Sequence, residues 1–275
     1  MIQERAMLCT LSISAWTARK QDKKVSAEVE SAHGAHNAGK FNKLLVDKAL
    51  LDPITKLAAR IRESHYFATL PWSDSGARLL PSKLFMDYTA KIRGFKDEFN
   101  KLVAAMLLLY PAEVQAARVR LGTMYEPSDY PEAWELKDRF SINVDFTPVP
   151  DAADFRVDVT AEEQAELRAS VTQGVADKQA AAVKATYARV REVVEKIDER
   201  LSVPGALFRD SLIDNARELC VVLEALNVTG DPAITKLAEA IDRDLLRYTP
   251  AFLRQSMTAR VHTADLARAI LATLP

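Results

Sequence analysis

The sequence predicts an α+β chain, mostly α: a helical bundle with a long helical hairpin and a small antiparallel β-sheet. Three observations predict it. Glycine is scarce, 8 in 275 residues, while the strong helix formers Ala, Leu, Glu, Lys and Arg are plentiful. Long stretches repeat apolar residues at three-and-four spacing. Three short segments instead alternate apolar and polar residues with period two, which lines one set of side chains along one sheet face.

The elements follow in chain order. The first alternating segment runs through Met7, Cys9, Leu11, Ile13 and Ala15. The stretch KKVSAEVESA after it is polar and helical in pattern. Leu44, Leu45, Leu51, Ile54, Leu57, Ala58 and Ile61 then define helical spacing over 42–67, with Pro53 opening a second helix and Asp52 as its cap. TLPWSDSGARLLPSK breaks the pattern with two prolines and a glycine. A long helix resumes over 83–110, where Pro111 either ends it or opens a short helix running to Leu121-Gly122. The other alternating segments are 140–147 and 155–160, joined by PVPDAAD; with the first they predict a three-stranded sheet.

Thr160-Ala-Glu-Glu reads as a capping box, and the helix it opens runs to about Ser202. Val183, Tyr187, Val190, Val194, Ile197 and Leu201 form a heptad seam on it, spaced 4-3-4-3-4. At 1.5 Å per residue that helix is about 60 Å long. It either protrudes or pairs with a partner: the 83–110 helix, or the same helix of a second copy. Pro204-Gly205 ends it, and three more helices follow, with starts marked by Asp231-Pro232, Thr249-Pro250 and Thr263. The chain therefore divides into a basic part over 1–160, the long helix over 161–203 and a helical part over 204–275, read as one integrated domain with a protruding coiled coil.

A net charge of −1 hides an asymmetry. Residues 1–125 hold 19 Lys and Arg against 12 Asp and Glu, and the remainder 18 against 26. Solvated helix faces or two electrostatic surfaces both produce this. Cys9 and Cys220 lie far apart on apolar stretches, which predicts buried free thiols and a reducing cytoplasm. No apolar run approaches the ~20 residues of a membrane span, and the first residues lack the apolar block of a signal peptide. No membrane role is expected.

Residues 34–40, GAHNAGK, match the phosphate-loop spacing, but Phe41 stands where that loop needs Ser or Thr. The preceding stretch is not a buried strand, and no later apolar strand ends in an acid. Nucleotide binding is not expected. The four histidines, at 33, 36, 65 and 262, form no ligand set with cysteines or acids, so no metal or cofactor is expected. No nucleophile motif stands out, and the reading is non-enzymatic. Trp16 beside Arg19, Lys20, Lys23 and Lys24 forms a candidate nucleic-acid surface, in which a ring stacks a base and cations pair phosphates. A solvated basic loop is the alternative. Trp72, with Asp74 and Arg78 able to pair across Gly76, forms a candidate partner loop, or else a plug for a helix-hairpin core.

LSISAWTARK, LPWSDSGARLLP, FTPVPDAADFRVDV and FRDSLIDNARELCVVLEALNVTGDPAITKLAEAI resemble an uncharacterised family of bacteriophage and prophage proteins, known as a domain of unknown function. The resemblance spreads over most of the chain. Genes of that family often neighbour a MoxR-type AAA+ ATPase and a von Willebrand factor A-type protein. It implies a phage accessory protein of the host cytoplasm that acts by oligomerisation or as an adaptor to a phage or host protein. The seam is then the surface for self-association or for a partner. The alternative is a single-stranded DNA-binding protein that uses the basic half.

Overall fold

Helix carries 68% of the chain in a computed structural model that describes residues 2–151 and 160–275. The chain divides into two compact units that interleave in sequence. One comprises residues 1–10, 65–88 and 145–275, the other 11–64 and 89–144. The tripartite division at 160 and 203 is therefore replaced by a discontinuous one. Charge segregates with the units: 19 Lys and Arg against 24 Asp and Glu in the first, 18 against 14 in the second.

The first unit begins with a single turn, α1 (Ile2–Arg5), and the start of β1 (Ala6–Ser14). Strands β4 (Leu70–Pro71) and β5 (Arg78–Pro81) form a hairpin beside it. β1 pairs antiparallel with β5, Met7 opposite Leu80 and Leu8 opposite Leu79. With β6 (Ser141–Thr147) the sheet has four strands, ordered β4-β5-β1-β6. The hairpin is missing from the sequence reading because its arms are too short to show a period, and prolines end both. The third alternating segment, 155–160, lies outside the described residues apart from Thr160.

The rest of this unit is helical. Thr160 caps α6 (Ala161–Ser202) in a full capping box with Glu163, as the sequence predicts. After it come α7 (Ser211–Leu226), α8 (Pro232–Leu245), α9 (Pro250–Gln255) and α10 (Met257–Thr273). Asp231 and Thr249 cap α8 and α9. α10 starts at its Ser256 cap, not at Thr263; Thr263 is buried inside the helix and donates its hydroxyl to the Ala259 carbonyl. α6 packs on α10 and α7. α10 turns Ala259, Thr263, Ala264 and Ala267 inward, small side chains that let helix backbones approach closely. Val190, Val194, Ile197 and Leu201 are each 0% exposed in the resulting core, at about 1.5–3 kcal/mol per buried side chain. The partner of the long helix is thus the C-terminal part of its own chain, not the 83–110 helix.

In the second unit, β2 (Arg19–Gln21) and β3 (Asn42–Leu44) pair antiparallel, with Lys20 opposite Lys43. Between them lies α2 (Lys23–His33), capped by the Asp22 carboxylate at one end and by Gly34 in the left-handed conformation at the other. Lys43 is buried between Asp129, at 2.8 Å, and Asp22, at 3.5 Å, and also donates to the Met124 carbonyl. Burial alone would push its ammonium pKa down; the two carboxylates more than offset this, and the pKa lies above the usual value.

α3 (Lys48–Ala68) and α4 (Phe85–Leu121) run through Pro53 and Pro111 without a break. Each proline removes one intrahelical bond, which the burial of Ile54, Leu57 and Ile61 on α3, and of Met106, Tyr110 and Ala117 on α4, outweighs. Tyr110 anchors the unit: its hydroxyl donates to the Pro131 carbonyl, and Trp16 meets its ring edge-on at 5.8 Å. Burial pushes its phenol pKa up to about 12. α5 (Ala133–Lys137) completes the unit. The stretch 82–124 has the length and apolar composition to cross a membrane, although no apolar run in the sequence announces it.

Candidate functional site

A groove of about 940 Å³ runs along one face of α6, from Ala176 to Glu195. Ala180, Val183, Tyr187, Ala188 and Arg191 recur along it at intervals of one, three and four residues, so a single helical stripe forms its floor. Thr229 and Pro275 form its far side. The stripe spans about 28 Å at 1.5 Å per residue. Its floor is mostly apolar; Lys184 and Glu195 add opposite charges three turns apart. The Tyr187 hydroxyl donates to Asp231 at 3.2 Å, fixing the ring against the turn between α7 and α8. Arg191 donates to the Pro275 carbonyl. Beyond Pro275 a second groove of about 420 Å³ continues between α8 and α10.

The heptad seam is thereby split. Val190, Val194, Ile197 and Leu201 are consumed in the core of their own chain and offer nothing to a second molecule. Val183 and Tyr187 remain half-buried at the groove. The period of 3.5 specifies that a partner exists; it does not say from which chain.

Trp72 does not belong to a partner loop. It is 6% exposed in the core, with the Lys178 ammonium 5.4 Å from its ring centre. Arg78 does not pair with Asp74. It donates to the Thr69 hydroxyl at 2.7 Å and the Thr69 carbonyl at 3.2 Å, and lies over the Tyr66 ring. Asp74 stays exposed in the turn that Gly76 makes at φ 94°.

Arg78 leads to a polar cluster at the end of α3. Arg189, from α6, donates to the carbonyls of Phe67 (3.0 Å), Tyr66 (2.7 Å) and Thr69 (2.5 Å). These are the orphan acceptors of a helix C-terminus. Burial, then the neighbouring Arg78, brings the Arg189 pKa down to about 10. One turn earlier, His65 Nδ1 lies 2.8 Å from the Tyr88 hydroxyl, which also accepts from the Cys9 thiol at 3.4 Å. Burial and the Arg78 charge lower the His65 pKa to about 4, so the imidazole is neutral at physiological pH. Burial also pushes the Cys9 thiol and the Tyr88 phenol up. A nucleophile needs the reverse: an accessible thiol with a depressed pKa. Cys9 is 0% exposed, and neither groove reaches it. The cluster ties sheet to helices.

No family model, curated protein or solved structure matches this chain.

Residues 34–41 connect helix α2 to strand β3, whereas a phosphate loop connects a strand to a helix. The loop folds back on α2: Ala38 N–H donates to Glu30, and Phe41 N–H to Ser26. Arg19, Lys20, Lys23 and Lys24 are all exposed, on β2 and the first turn of α2. Trp16 is half-buried edge-on to Tyr110, so its ring is no open stacking platform. Among the described residues no three His, Cys, Asp or Glu side chains gather into a metal-binding group. Both cysteines are free thiols; burial pushes Cys220 up to about 11.

Sequence reasoning missed Arg189 and the groove walls. Arg189 lies between two seam positions of an ordinary amphipathic helix, with nothing nearby in sequence to mark its target. Thr229 and Pro275 join the groove from 34 or more residues beyond its last floor position.

Proposed function

We propose that this chain is a non-enzymatic accessory protein that docks other protein chains, and that the α6 groove is its docking surface. The observation that carries the reading is the floor of that groove. Val183, Tyr187 and the alanines around them form an apolar stripe of about five helical turns, edged by charges. That is the form of a site for an amphipathic helix, whose anchors recur every three or four residues. The alanines allow a close approach, and Lys184 and Glu195 set the direction of the guest. The resemblance to phage proteins makes the partner a phage or host protein of the cytoplasm, with an AAA+ ATPase the leading candidate.

The test replaces exposed floor residues that the fold does not need. Ala188→Arg and Ala180→Glu should leave folding intact. Each should abolish co-purification of the protein captured by the wild type from infected cells, and weaken by at least about tenfold the titrated affinity of that partner once purified. Equal capture by wild type and Ala188→Arg would remove the groove from consideration.

A second reading is single-stranded DNA binding through Arg19, Lys20, Lys23 and Lys24, favoured by their common exposure in the more basic unit. It predicts an affinity that falls steeply with salt and disappears when all four are changed to Glu. Absence of a mobility shift at low salt would eliminate it.

A further inference from the structure

α4 is apolar on two opposite faces. One packs inside its unit through Phe99, Val103, Met106, Tyr110 and Ala117. The opposite face carries Ala105, Leu108, Leu109, Ala112, Ala116 and Val119, all exposed. Leu108 is 83% exposed, Leu109 58% and Val119 86%. Apart from Glu113, Leu102–Ala117 contains no charged residue. A helix apolar all round belongs in a buried setting, and single exposed leucines need no explanation whereas a contiguous stripe does.

The order of sizes along the stripe matches the stripe itself when reversed. Pairing two copies antiparallel, with Ala112 on the two-fold axis, sets Leu108 against Ala116 of the second copy and Val119 against Ala105. Leu108 and Val119 each then meet an alanine, the alternation of large and small that packs an interface, and Leu109 lies opposite Gln115. A parallel pairing would put Leu108 on Leu108 and leave gaps at each alanine. The stripe is about 22 Å long. Two helices in contact over it cover on the order of 500 Å² per copy, or about 1,000 Å² in all, the lower bound for a specific interface. We propose that this face of α4 binds a second copy of the chain, as a reversible antiparallel dimer with isologous contacts. The proposal does not rest on the α6 groove.

Sedimentation velocity across about 1–100 μM should show a monomer–dimer equilibrium. Leu108→Glu and Val119→Glu should each weaken it at least tenfold while melting like the wild type. In a Cys220→Ser background, Ala112→Cys should cross-link to itself under mild oxidation. Leu108→Cys should not, but should cross-link to Ala116→Cys when the two are mixed. A monomer at every concentration overturns the proposal, as does a dimer indifferent to both glutamates or a Leu108→Cys self-cross-link. So does a chain that is monomeric in solution and floats with vesicles of mixed zwitterionic and anionic lipid, which would assign the stripe to a membrane surface. Ala188→Arg should dimerise normally, which separates this surface from the groove.

Discussion

α4 and α6 are the two long helices, and they treat their apolar faces in opposite ways. α6 has a regular seam that reads from sequence as a surface for another chain, yet its last four positions are fully buried by α7 and α10. α4 buries an equally regular row, Phe99, Val103, Met106 and Tyr110, yet leaves three large apolar side chains of its second half more than half exposed. Regularity of spacing thus reports that a helix packs along its length. Where the partner lies depends on how many sides of the helix are apolar. Over Val190–Leu201 α6 is polar opposite its seam, so one layer of neighbours satisfies that half. α4 is apolar on both sides, and its own unit covers one.

The largest effect comes from a charge in the seam. Val194→Asp should cost more than about 4 kcal/mol, because an unpaired carboxylate in a fully buried position has nothing to satisfy it. Leu108→Asp on α4 should stay within about 0.5 kcal/mol of wild type. Urea unfolding of the two variants measures both. If Val194→Asp folds normally and merely alters association, the seam faces outward and α6 does not pack on α7 and α10 through it.

The polar cluster behind α6 gives the next effect. The His65 imidazole has a lowered pKa, so the unfolded chain binds a proton that the folded chain refuses. The stability it contributes is full above about pH 6.5 and is lost as pH falls toward 4. About 2.5 kcal/mol should be gone by pH 4.5. Thermal melts between pH 7 and 4.5 should fall more steeply for the wild type than for His65→Gln. Parallel slopes would mean that His65 is solvated and that the contact with Tyr88 does not hold.

Arg189→Ala comes third. It strips three carbonyls at the end of α3 of a charged donor and should cost about 2 kcal/mol. Arg189→Lys should recover only part, since an ammonium cannot span three acceptors as a planar guanidinium does. A full recovery would show that charge at the helix end, not geometry, is what matters there. Arg260 offers a check within the same unit, because it donates to the carbonyls of Arg200, Val203 and Ala206 at the end of α6.

These residues show what was legible. Caps and periods are local, and they located β1, β6 and α6, and the starts of α8 and α9, to within a residue or two. Pro53 and Pro111 misled because a proline costs a helix one bond, and that loss is set against burial that only the tertiary structure supplies. The β4–β5 hairpin was too short to have a period. The candidate loop failed for the same reason in reverse: Trp72 lies between turn residues in sequence, but its ring is drawn into a core shared with α6, α7, α8 and α10, most of it more than a hundred positions away. The groove combined a legible half, Val183 and Tyr187, with walls that no local pattern could announce.

The smallest effect separates the two halves of α6. Thr160 and Glu163 cap its start completely, a device typically worth about 1 kcal/mol. No residue of α6 before Ala182 is fully buried; Val175 packs on the edge of the core and Lys178 lies over Trp72, so the turns before Val175 rest on the cap and on helix propensity. Thr160→Ala should therefore fray those turns locally: amide exchange should accelerate over about the first ten to fifteen residues, while the global unfolding midpoint scarcely moves. The same loss of a cap at Asp231, where α8 packs into the core immediately after its first turn, should lower the midpoint itself. If Thr160→Ala instead shifted global stability by a full kcal/mol, the first half of α6 would be coupled to the packed half, and the helix would have to be treated as one cooperative element from the cap to Leu201.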